Sequence, residues 1–134
     1  MISFPIMITL LLVLMPIFLL GSSEITNIRS AKDGQKQRIV IDMDGQKEPS
    51  YYVKKAKGEI NITLEAKLSA QRAKEFKNIL EKTRYVDEVD FMILDKEEET
   101  IITIFTNKKE KVADEIFALP NPSRVVIDLE RAQY

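Results

Sequence analysis

The chain has 134 residues, enough for one domain core, and its 20 basic and 21 acidic side chains nearly cancel, so it offers no basic field to hold nucleic acid. It contains no cysteine and no histidine. That excludes disulfide frameworks, thiolate nucleophiles, histidine general bases, Ser-His-Asp triads and the usual zinc hydrolase sites, and the expectation is a protein without metal or cofactor.

The first 23 residues, MISFPIMITLLLVLMPIFLLGSS, carry no charged side chain, and the first charge is Glu24. Such a run is apolar enough to enter a bilayer and nearly long enough to span one. Two readings stand. As a secretory signal peptide it has an apolar stretch, with Gly21 and Ser23 suiting cleavage before Glu24, although it lacks the usual basic start. As an uncleaved membrane anchor it has the length, with Pro5 and Pro16 kinking the helix. Either way the remaining segment, 24–134, is expected outside the cytoplasm, in the periplasm or cell envelope, as one compact domain.

From Glu24 the pattern is one of short β-branched and apolar runs separated by turn residues. "ITNIRS" (25–30) precedes the turn cluster "AKDGQKQ" and then "RIVIDMD" (38–44). "YYVKK" (51–55) and "INITLE" (60–65) flank "AKGE". A helix follows: Ser69 caps its first turn, and Ala73, Phe76, Ile79 and Leu80 recur at helical spacing, a narrow stripe suited to a lid on another layer. Strands then resume as "VDEVDFMIL" (86–94), "TIITIFT" (100–106), "KVADEIFAL" (111–119) and, after the turn "PNPS", "RVVIDLE" (124–130). The predicted fold class is all-β: a sandwich of two small, mostly antiparallel sheets, about eight strands, with one short helix between the halves.

The halves match in pieces. Residues 25–44 and 111–130 each read strand, turn and an Arg-x-Val-x-Asp-like strand, and residues 51–65 and 90–106 each read strand, charged turn and an Ile-x-Ile strand. The pieces occur in opposite order, which points to a pseudo-twofold arrangement rather than a tandem repeat.

Alternation sends Ile39, Ile41 and Met43 to one face of the first motif strand and Arg38, Val40, Asp42 and Asp44 to the other. In the second copy Val125, Ile127 and Leu129 oppose Arg124, Val126, Asp128 and Glu130. Within one strand Arg and Asp stand roughly 13 Å apart, too far for a dependable ion pair. If the copies are antiparallel neighbours centred on Val40 and Val126, Arg38 faces Asp128 and Arg124 faces Asp42, each pair worth about 0.2–1 kcal/mol. The alternative puts the copies in separate sheets.

Ile25, Ile28 and Arg29, the Arg-Ile-Val-Ile-Asp strand, and Leu-Pro-x-Pro-x-Arg-Val-Val-Ile-Asp-Leu at 119–129 resemble the AMIN domain over residues 25–130. That module is the non-catalytic N-terminal part of N-acetylmuramoyl-L-alanine amidases and is also found in secretins. The resemblance implies a sandwich of two similar sheets that binds peptidoglycan and helps place cell-wall or secretion machinery. With no histidine for an amidase zinc, it implies binding without cleavage. The alternative is a protein–protein adaptor that docks a secretin-like channel or a cell-wall hydrolase.

Arg38, Asp42, Arg124 and Asp128 are the candidate ligand-binding residues, arginine being suited to bidentate contact with carboxylates. The competing reading is a salt-linked strand pair that specifies the fold. Tyr51 and Tyr52 must point to opposite faces, one into the core and one to serve as a platform for a sugar ring, with Tyr51 taken as the candidate. Asp42, Asp44, Asp128 and Glu130 make a poor glycosidase pair, since carboxylates opposite arginines are weak proton donors. "DKEEE" and "KKEKV" read as solvated turns, and the "NIT" at Asn61 is incidental in a strand of a bacterial-type domain.

Overall fold

The computed structural model describes residues 23–132. The signal-or-anchor reading therefore lies, except for Ser23, outside the described residues. Among the described residues no helix is long and apolar enough to cross a membrane.

Among the described residues eight strands and one helix form: β1 (Ile25–Asp33), β2 (Lys36–Met43), β3 (Tyr51–Ala56), β4 (Glu59–Leu64), α1 (Ala70–Glu81), β5 (Val86–Leu94), β6 (Glu99–Thr106), β7 (Val112–Leu119) and β8 (Arg124–Arg131). They build two four-stranded antiparallel sheets, in the orders β1-β2-β8-β7 and β3-β4-β6-β5. Each sheet is two hairpins joined through their second strands. Exchanging the two hairpins leaves each strand order unchanged, so the pseudo-twofold legible in the repeated pieces lies within each sheet. The hairpins close tightly because glycine stands where the chain needs a left-handed residue, Gly34 at φ +66 between β1 and β2 and Gly58 at φ +71 between β3 and β4.

Alternating side chains then decide what is buried. Ile39, Ile41 and Met43 of β2 and Val125, Ile127 and Leu129 of β8 face the interior, none more than 4 % exposed. Ile60, Ile62 and Leu64 of β4, with Ile102 and Ile104 of β6, meet them from the second sheet in the same core. Each such side chain contributes roughly 1.5–3 kcal/mol by leaving water, so the four central strands are the stable body of the domain. Two buried polar side chains are tied in, Thr100 Oγ1 donating to the Ala66 carbonyl at 2.8 Å and Gln37 Nε2 to Ser30 Oγ at 2.7 Å, while the Gln37 Oε1 accepts no hydrogen bond among the described residues.

The helix covers one side of the sandwich, packing on β5 and β1. Ser69 caps it as expected, its hydroxyl accepting from the Arg72 N–H at 3.2 Å. Ala73, Phe76 and Leu80 are buried, but Ile79 is 42 % exposed and leaves the predicted stripe. At 100° per residue Ile79 lies at the margin of the arc that the other three define, beyond the edge strands they cover. On the opposite side the edge strands β3 and β7 come together, where Tyr51 Oη donates to the Ile116 carbonyl at 3.4 Å and Lys55 Nζ meets Asp114 Oδ1 at 2.5 Å.

Candidate functional site

The two motif strands are neighbours. β2 pairs with β8 so that Val40 faces Val126, Arg38 faces Asp128 and Asp42 faces Arg124. This is the side-by-side register, and separate sheets are ruled out. The outward side chains of β2 and β8, flanked by those of β1 and β7, form three rows across the outer face of the first sheet. One runs Ala31, Arg38, Asp128, Glu115; the next Arg29, Val40, Val126, Phe117; the third Asn27, Asp42, Arg124, Leu119.

Only one of the two expected cross-strand pairs forms. Arg38 grips Asp128 with both prongs, Nε to Oδ1 at 2.8 Å and Nη2 to Oδ2 at 2.9 Å. Its guanidinium also stands 5.9 Å from the centroid of the Phe117 ring. Arg38 therefore reaches from β2 across β8 to β7, which explains why Val126 and Asp128 are only 2 % and 4 % exposed although both point outward. This corrects the expectation of an open charged face: its centre is sealed. The hydrogen bonds from Arg38 hold the Asp128 carboxyl below the usual carboxylate range, against an opposing effect of burial, and Asp128 in turn raises Arg38.

The second expected pair is replaced. Asp42 accepts from Arg29 of β1, Nε to Oδ2 at 2.8 Å and Nη2 to Oδ1 at 3.0 Å, and this hydrogen-bonded carboxylate raises the Arg29 pKa. Arg124, directly opposite Asp42, does not join this pair. Its Nη1 donates to the carbonyls of Pro122 at 3.0 Å and Pro120 at 3.3 Å. That turn is itself tied to the loop after β2, Asn121 N–H to the Gln46 carbonyl at 2.9 Å and Ser123 N–H to the Gly45 carbonyl at 3.1 Å. The Ser123 hydroxyl also donates to the Lys47 carbonyl.

Arg38, Asp42, Arg124 and Asp128 are thus brought together on one face, and Tyr51 is not. Tyr51 is half-buried and packs against the core from β3 in the other sheet. The exposed tyrosine is Tyr52, 66 % exposed on the outer face of that second sheet, on the far side of the molecule from the arginines. Two contributors were not singled out as site residues from the sequence: Arg29, quoted only for the resemblance, and Phe117. Alternation alone puts Phe117 on the outward side of β7, but its neighbours depend on the β7–β8 register. A cleft of about 230 Å³ lined by Lys109, Glu110, Lys111, Arg131 and Ala132 lies at the opposite end of the β7–β8 hairpin from Arg124.

No family model matches this chain, and no curated protein matches it.

Proposed function

We propose that this chain is a non-enzymatic module of the bacterial cell envelope. It is exported or anchored through its first 23 residues, binds peptidoglycan through the outer face of β2 and β8, and helps localise cell-wall or secretion machinery. The observation that carries this reading is the adjacency of the two Arg-x-Val-x-Asp-like strands. Their pairing delivers both copies of the motif to one face, and the motif copies are the part of residues 25–130 that carries the AMIN resemblance. That face presents guanidinium groups to carboxylates and hydroxyls, the groups a glycan–peptide polymer offers. Asp128 is ill suited to acid–base work, being held ionised by Arg38.

Co-sedimentation of the full chain, purified in mild detergent, with purified cell-wall sacculi tests the reading. Retention that is competed by soluble wall fragments supports it. A chain that stays in the supernatant while capturing a secretin-like channel or a cell-wall hydrolase favours the protein-adaptor reading instead.

A further inference from the structure

We propose that Arg124 is the ligand-reading cation of this face and that its Nε–Nη2 edge receives a carboxylate of the wall's stem peptide. This rests on the peptidoglycan reading and names the part of the polymer that the face recognises.

Three arginines stand on the outer face, and two of them show how the third is meant to work. Arg29 and Arg38 each present Nε and Nη2 together, closing on both oxygens of an aspartate at 2.8–3.0 Å. Arg124 has no such partner. Its hydrogen bonds run from Nη1 to two turn carbonyls, and among the described residues its Nε and Nη2 make none. The edge that its two neighbours give to a carboxylate therefore remains for a ligand.

The group is also positioned before any ligand arrives. The acceptors for Nη1 belong to a turn held to the loop after β2 by the backbone bonds from Asn121 and Ser123 and by the Ser123 hydroxyl. A guanidinium fixed at one nitrogen has little rotamer freedom left to lose on binding, which favours a directional contact over a diffuse one.

Charge points the same way. Arg38 and Asp128 cancel, and so do Arg29 and Asp42, which leaves Arg124 as the arginine of this face with no carboxylate closed on its Nε–Nη2 edge, Asp44 lying beyond Asp42 at the same end of β2. The other end of the face is negative, since exposed Glu115 stands beside Asp128. An anionic group thus gains at the Arg124 end and is repelled at the Glu115 end, which fixes the direction in which a peptide would lie.

Titration calorimetry of the full chain in mild detergent tests this, using a soluble muropeptide with free carboxylates and the same muropeptide with its carboxylates amidated. The wild-type chain should bind the free acid roughly tenfold to a hundredfold more tightly, the range for a charge-assisted hydrogen-bonded contact. Arg124→Gln should remove that preference, and Arg124→Lys, which keeps the charge without the planar edge, should retain part of it. Equal wild-type affinity for both muropeptides, or a preference that survives Arg124→Gln, overturns the proposal and leaves wall binding standing. Binding of neither overturns the peptidoglycan reading, and the proposal with it. The wild-type comparison needs no variant, so a misfolded mutant cannot shelter the idea.

Discussion

Arg38 of β2 holds Asp128 of β8 across the seam between the two hairpins of the first sheet, with Nε–Oδ1 at 2.8 Å and Nη2–Oδ2 at 2.9 Å. The carboxylate is buried on the outer face under the very side chain that neutralises it. Arg29 makes the same contact to Asp42 one strand over, but there the pair is more open, with Asp42 retaining 18 % of its side-chain exposure against 5 % for Asp128.

That contrast separates two substitutions that look equivalent in the sequence. Arg38→Ala strands a covered carboxylate and should cost about 2–3 kcal/mol, below the full range for a deeply buried pair because Arg38 itself reaches solvent. Arg29→Ala leaves Asp42 to water and should cost under about 1 kcal/mol. Urea unfolding of the two variants checks the order; equal losses would mean that Asp128 is not sealed.

Asp128 should leave a signature in acid. Its pKa is depressed in the fold by the Arg38 hydrogen bonds, so its contribution is complete above the unfolded value of about 4 and is lost as pH falls through the lower folded value. Asp128→Asn lacks that contribution at every pH. The gap in stability between wild type and Asp128→Asn should therefore be widest near neutral pH and shrink as the solution is acidified below about pH 4. A gap that is constant across denaturation curves at several pH values contradicts the pair.

Phe117 is the cover that sequence alternation placed outward without revealing its partner. Phe117→Leu keeps an apolar side chain but removes the ring beneath the Arg38 guanidinium, and should cost about 0.5–1 kcal/mol. In the Arg38→Ala background the same change should cost measurably less, because the ring and the guanidinium act together. Full additivity in the double-mutant cycle would show that the 5.9 Å approach carries no energy.

On the inner side of the same strand, Asp114 of β7 sits half-buried facing the interior and is met by Lys55 of the other sheet. An inward-turned charge on an edge strand discourages edge-to-edge pairing with another chain. Asp114→Val should therefore raise self-association in sedimentation velocity while leaving the fold intact. A variant that stays as dispersed as wild type would remove this role from Asp114.

Much of the fold was legible because alternation is a strong signal where one face is buried. The interior sets Ile39, Ile41, Met43 and Val125, Ile127, Leu129 fall where the period places them, and the match of motif to motif anticipated the Val40–Val126 register. What the sequence could not convey is competition. Asp42 has Arg124 directly opposite and Arg29 on the diagonal, and the choice between them depends on carbonyls of the 120–123 turn that occupy Arg124. Tyr51 and Tyr52 are equivalent in type, and only the sheet's placement sends the first against the core and leaves the second in solvent. Ile79 is a similar case, since a helical stripe shows which residues share an arc but not how far the covered surface extends.

In the proposed function the wall polymer is read on the outer face of β2 and β8 from the Arg124 end, and two-dimensional amide NMR of the chain titrated with a soluble muropeptide locates the contact residue by residue. Shifts should gather at Asp42, Leu119, Arg124 and Val126 and spread from the 120–123 turn along β8. Shifts centred instead on Tyr52 and Ile101 of the second sheet, or no shifts at saturating muropeptide, would contradict it.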